Sequence, residues 1–492
     1  MTSSAAITPD EMLKKCKTWE DQQAFREIVD ALSGYPLIEA SNQLLKMFVQ
    51  TAVAIKDEAA MASEITARAI AMLPDTASYR LINSMNRPPF RDIAAKLVLS
   101  DNVDRKSPLY MQQLKRCIKD REPSELTSQL RSAIAEASKG GHAVRPEPSG
   151  FASPKRPSNY TLGTVDIMAS SRTDRRHYDR LKADAEVFAA RLNAPRDFKV
   201  LEYRNVFIDN LGQIWNEDGA IIKSRGHAIP NLRRCDVPNL DVGFNLATRT
   251  RGLYHFLVDC IPLLGWMVNN PQAACIPVLT NGRAPAFERE LLELASLEGP
   301  DIYPIDNVVF VESLLVAAGG FAALAGWDHV APIMNRIVTM AHEIAYEEGV
   351  ALPKSIYISR SVARRRMMEN EEQVHKAMED RGVTVLHFEN LPIWHQIAIA
   401  SNAQTIIAPH GAGLAHLITS IRPATVIEIL PINDVAYVLR WNYARVSQLR
   451  GHRYSAWLEE QQNPLSDRWS VKLDEFLPFL DAKLGLNVIA AA

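Results

Sequence analysis

His410-Gly411-Ala412-Gly413 follows the apolar run QTIIA and leads into LAHLIT, which is helical in pattern. Two glycines between a strand and a helix start leave backbone N–H groups unpaired and let a ligand approach the main chain. The helix end adds partial positive charge, so such a loop suits a phosphate or diphosphate. The same glycines also serve a plain tight turn. A second group lies in SRSVARRRMMEN. Arg360 comes directly after the strand-like run SIYIS, and Arg366 stands on the loop ahead of a helix that Asn370 and Gln373 open as a capping box. Guanidinium groups bind two phosphate oxygens at once and keep their charge. Arg364 and Arg365 read equally as a solvated surface run.

Glu428 sits inside the apolar strand TVIEILP, where an unpartnered charge is costly. It either accepts hydrogen bonds from ribose hydroxyls or forms a structural salt bridge to a neighbouring arginine. His255 and Asp259, in YHFLVDCIPLL, are four residues apart and share a helix face. They read as a pair that acts together at an acceptor site, or as a structural pair in which Asp259 simply holds His255 in place.

These residues need elements to place them. Residues 1–140 read as helix after helix, with apolar positions at three- and four-residue spacing and breaks such as Gly34-Tyr35-Pro36. AIAMLPDTASYRL resembles the junction of two tetratricopeptide repeats, so the arm is either a helical repeat or a plain bundle. Residues 141–174 are rich in Gly, Pro and Ser and read as a linker. Residues 175–335 carry short strands (KVLEY, NVFI, IPVLT, NVVFVE) around a helical stretch, an α/β domain. Residues 336–492 alternate unbroken apolar strands with helices, which predicts a parallel, Rossmann-like sheet covered on both faces.

Composition narrows the class. With 55 Lys and Arg against 57 Asp and Glu, the net charge is −2, which argues against general nucleic-acid binding. Five scattered cysteines without a CxxC pair fit a reducing cytoplasm better than disulfides or structural zinc. No signal peptide and no apolar run of the ~20 residues a membrane helix needs is visible. A cytoplasmic protein with no integral membrane segment is expected.

YHFLVDCIPLL, then IYISRSVARRRMMENEEQV, then APHGAGLAHLI and TVIEILP, with the later GHRY, resemble glycosyltransferase family 61 over residues 200–460. The resemblance implies a GT-B fold, two Rossmann-like domains, with 175–335 the acceptor side and 336–492 the sugar-nucleotide side. It implies inverting transfer from a nucleotide-diphosphate sugar, generally linked to UDP, to a protein or polysaccharide hydroxyl, with no required metal and no other cofactor. No Asp-x-Asp is placed for a metal–diphosphate bridge. The expected donor-binding set is Arg360, Arg366, Asn370, His410, Gly411, Ala412, Gly413 and Glu428. His255 and Asp259 are the expected catalytic pair, and the helical arm is a candidate recruiter of acceptor or partner. Gly252-Leu253 stands where the family commonly has Asn-Tyr, Phe256 where it often has Trp, and Arg422-Pro423-Ala424 replaces its usual Pro-Gly. A sugar-nucleotide epimerase on the same fold, and a non-catalytic scaffold working through the arm, are the rival readings.

Overall fold

A computed structural model describes residues 7–486 apart from 37–40, 74, 87, 104, 106–109, 120, 140–146, 149–162, 180–181, 184–185, 188–199, 224, 226–228, 249–251, 269, 274, 296, 298–300, 318–326, 362–365, 433–441 and 462–467. Arg364 and Arg365, and most of the expected linker, lie outside the described residues. The chain divides into two compact units, one built on residues 1–144 with 213–236 and 464–466, the other on 145–212, 237–463 and 467–492.

Among its described residues the first unit is all-α through residue 139, from Pro9–Asp21 (α1) to Glu125–Lys139 (α9). Thr8 and Glu11 close a reciprocal capping box at the start of α1, and Gly34 ends α2 (Phe25–Ser33) at the break read from the sequence. Successive helices pack on one another around Leu44, Phe48, Val49, Ile70, Ile82 and Val98. Their lengths run from 5 residues in α4 (Glu58–Ala62) to 15 in α9.

The second unit begins with β1 (Thr164–Ala169), β2 (Val200–Asp209), β3 (Asn239–Asn245), β4 (Val278–Asn281), β5 (Ile302–Ile305) and β6 (Val308–Ala317). It continues with β7 (Ser355–Ile358), β8 (Thr384–Leu386), β9 (Thr405–Pro409), β10 (Thr425–Ile432) and β11 (Arg453–Glu460). The connecting helices are α10 (Ala286–Ala295), α11 (Trp327–Glu347), α12 (Glu371–Glu379), α13 (Ile393–Asn402), α14 (Asn442–Leu449) and α15 (Leu473–Leu484). In the later sheet the order is β8-β7-β9-β10-β11-β1, every neighbour parallel. Its strands bury both faces. Ile356, Ile358, Ile406, Val426 and Leu430 enter the cluster shared with α11 and α13, while Tyr357, Ile407, Ile427 and Ile429 face Val374 and Phe476 of α12 and α15. That explains the unbroken apolar runs in the sequence.

Two findings depart from the sequence reading. Thr164–Ala169, inside the expected linker, is strand β1, paired with β11 at the sheet edge. Its half-exposed, polar-alternating sequence hid it among Gly, Pro and Ser. The earlier sheet, β2-β6-β3-β4-β5, is mixed, and two runs that read as separate strands are one. The runs VLEY and NVFI are one continuous strand, β2, running antiparallel to β6 from Val200↔Ala317 to Asp209↔Val308. A single hydrophobic cluster runs through both sheets from Ile167 to Leu458, so the stretches 175–335 and 336–492 share one core. Among the described residues, no helix is long and apolar enough to cross a membrane.

Candidate functional site

The chain leaves β7, crosses by α12 to β8 on one side, then returns by α13 to β9 on the other side of β7. The reversal opens a crevice between the ends of β7 and β9, the place where open α/β sheets bind ligands. A cavity of about 250 Å³ lies there. Ile358, Ser359 and Arg360 from the end of β7 line it, with Ala408, Pro409 and Gly411–Leu414 from the end of β9. Phe388, Glu389, Ile393 and Gln396 close one side, and Leu253 and Phe287 come from the earlier half of the unit.

Both glycines lie directly under a neighbouring side chain that a Cβ would displace. A Cβ on Gly411 would lie 2.1 Å from Nη1 and 2.8 Å from Cδ of Arg360, and one on Gly413 would lie 2.8 Å from Cγ2 of Ile358. Gly411 is therefore the seat of the Arg360 side chain. The Arg360 backbone is fixed as well: its N–H donates to Oε1 of Glu371 at 2.7 Å, an oxygen that also accepts from Tyr357 Oη and Ser359 Oγ. Burial and the Glu371 carboxylate push the Tyr357 phenol up, so it stays a donor. Glu371, at the first turn of α12, was passed over in the sequence. Its signal was a carboxylate one residue past a helix start that follows a buried strand.

His410, 5 % exposed, directly follows β9, and its Nδ1 meets Oε1 of Glu428 in a short contact. Glu428 is 1 % exposed, and its second oxygen accepts from Tyr454 Oη at 2.5 Å. Both carboxylate oxygens are thus held by the protein. The protein partners of this carboxylate are a histidine and a tyrosine, not an arginine. Burial, then the charge of Glu428, keeps the Tyr454 phenol protonated. Tyr454 closes the GHRY stretch, and His452 within it is a structural clamp. Its Nδ1 accepts from Ala424 N at 3.0 Å, its Nε2 faces Leu417 O at 3.1 Å, and burial pushes its imidazole down to about 4.

Asn370 precedes α12, but its side chain makes no cap bond. The amide is spent on Val471 instead, donating from Nδ2 to its carbonyl at 2.8 Å and accepting from its N–H at 3.0 Å. The capping box read from the sequence is therefore not formed. Arg366 has a left-handed backbone, φ 54°, and its carbonyl accepts from Trp469 Nε1 at 2.9 Å. Of the expected donor-binding residues, Arg360, Gly411, Ala412 and Gly413 line the cavity, while His410 and Glu428 stand behind the loop and Asn370 and Arg366 hold the neighbouring strand β11–α15 region in place.

His255 and Asp259 lie on a π-helical turn, His255–Cys260, with Nδ1 of the ring 2.8 Å from Oδ2 of the carboxylate. Such turns are rare and recur at functional sites. The pair is partly open, with side chains 39 % and 28 % exposed. A run of rings joins it to the glycine loop: edge-on from His255 to Tyr254 at 5.3 Å and from Tyr254 to Tyr443 at 5.5 Å, then tilted from Tyr443 to His410 at 5.2 Å. Tyr443 of α14 carried no signal in the sequence. Among the described residues, no three His, Cys, Asp or Glu side chains cluster so as to hold a metal ion.

The stretch that contains the dyad, Arg360 and the glycine loop, residues 253–427, matches the family described as Glycosyltransferase 61. These residues form a glycosyltransferase family 61 domain. A similar protein is the EGF domain-specific O-linked N-acetylglucosamine transferase of Drosophila melanogaster, 29% identical over 117 residues. That match covers 23% of this chain and 22% of the fly protein, so the chain spans about a fifth of its relative's length. The family 61 domain thus begins at Leu253, on the cavity wall, and ends within β10, one residue short of Glu428.

Proposed function

We propose that the chain is an inverting glycosyltransferase that uses a nucleotide-diphosphate sugar, linked to UDP, and needs no metal. One observation carries the reading: within a family 61 domain, a cavity at the sheet's switch point is lined by Arg360 and by the loop Gly411–Gly413. The guanidinium and the loop amides meet the diphosphate, and His410, oriented by Glu428, backs the loop. The acceptor oxygen attacks the anomeric carbon from the face opposite the diphosphate and passes its proton to His255, which Asp259 holds in place. As the new C–O bond forms, the old one breaks, and its electron pair leaves with the diphosphate. Arg360 and the amides stabilise that growing charge, the role a divalent ion plays elsewhere.

The fly relative's name makes N-acetylglucosamine the first sugar to try and a protein hydroxyl the first acceptor. Incubation with UDP-N-acetylglucosamine and other UDP-sugars should release UDP and glycosylate an acceptor, with or without excess chelator. An isomerised sugar nucleotide instead of transfer would overturn the reaction class. Loss of transfer in chelator, restored by manganese or magnesium, would overturn the leaving-group argument.

A further inference from the structure

The cavity carries one carboxylate that neither the glycine loop nor the Arg360 clamp employs. Glu389 lines it from an exposed position on the 3-10 turn Phe388–Asn390, just beyond β8. The turn is anchored from within. Phe388 is 3 % exposed and packs edge-on to the His416 ring at 5.5 Å, while Asn390 N and Leu391 N each donate 3.0 Å hydrogen bonds to the carbonyls of His387 and Phe388. Among the described residues, no hydrogen bond or ion pair holds the Glu389 carboxylate.

The position has a chemical meaning. β8 is the second strand of the β7–α12–β8 unit and lies beside β7 in parallel register. In doubly wound folds, an acidic side chain beyond the second strand of the nucleotide-binding unit takes the ribose hydroxyls, while phosphate lies against a glycine loop. An ionised carboxylate only accepts hydrogen bonds and repels phosphate, so on a rim shared with Arg360 it suits the neutral, hydroxyl-bearing part of a ligand. Glu428, 1 % exposed, is buried with both oxygens already engaged by His410 and Tyr454.

We propose that Glu389 accepts hydrogen bonds from the ribose hydroxyls of the donor nucleotide. The inference rests on the nucleotide-donor reading above. It is tested by calorimetric titration of the full chain, as wild type, Glu389→Ala and Glu389→Gln, with UDP and 2′-deoxy-UDP. GDP and 2′-deoxy-GDP are titrated alongside. The wild type should prefer the ribo form by roughly tenfold or more, the strength of a hydrogen bond to a charged group. Glu389→Ala should bind the ribo and deoxy forms alike, and Glu389→Gln should keep part of the preference. Thermal stability should stay at the wild-type value in both variants, because the side chain is exposed. A wild type that binds UDP or GDP without preferring ribose, or a Glu389→Ala protein that keeps the full preference, overturns this inference alone. A wild type that binds none of the four overturns the donor reading and this inference with it.

Discussion

In the parallel sheet, buried polar groups behind the cavity hold one another: His410 is held by Glu428, Glu428 by Tyr454, and the Arg360 backbone by Glu371. In the half built on the mixed sheet, His255 is paired with Asp259 on a π-helical turn, and both stay partly exposed. The first arrangement spends burial on rigid placement, which suits groups that must meet charge without reorganising. The second leaves the imidazole partly open to solvent. Under the proposed function the first half binds the donor and the second takes the acceptor's proton, and each variant below separates them.

The largest effect is expected on the open side. His255→Ala should lower the transfer rate by about 10²–10⁴-fold, the usual worth of a positioned base, with nucleotide affinity unchanged. Asp259→Asn should lower it less. Near-normal turnover in both variants, measured beside donor affinity and melting temperature, would move the base elsewhere; unfolding of both would make the pair structural.

On the clamped side, Arg360→Ala should weaken nucleotide binding by about ten- to a hundredfold, the loss of one charge-assisted contact of about 1.5–3 kcal/mol. Gly411→Ala should do nearly the same without touching a charge, since its Cβ would fall 2.1 Å from Nη1 of Arg360. The double variant should then bind no worse than Arg360→Ala alone, because the two changes remove one contact. Additive losses in titration would show that Gly411 contacts the ligand independently of Arg360.

The last expected effect is a slope in stability. Burial pushes His452 down to about 4 and His416 down to about 3, from an ordinary value of 6.5. Between those values the unfolded chain binds protons that the folded chain refuses. Stability should therefore fall as pH is lowered from 6.5 toward 4 and 3, by about 1.4 kcal/mol per pH unit for each ring at most. His452→Gln, read by denaturant melts across that window, should be less stable at neutral pH and show a shallower slope. An unchanged slope would mean that His452 titrates alike in both states.

The parallel sheet and its crevice were legible in the sequence because strands buried on both faces must be apolar throughout, and SIYIS, QTIIA and TVIEIL are. Arg360 and the loop Gly411–Gly413 could be read for the same local reason: they sit directly where those strands end. The pairing of β2 with β6 could not, because Val200 and Ala317 are brought together by the folded chain and by no local pattern. Composition alone placed Thr164–Ala169 in a linker, because the Gly, Pro and Ser that precede it set the composition of the whole stretch and a six-residue strand is too short to outweigh them.

Local sequence determined which residues follow strands, which start helices, and that His255 and Asp259 share a face. Only the tertiary structure decided what each carboxylate and amide does. Glu428 turns to His410 and Tyr454, Glu371 to the Arg360 backbone, and Asn370 to Val471, a residue far along the chain. A buried polar atom must find a partner, and the nearest in space is chosen by how the layers pack. No spacing along the chain encodes that choice.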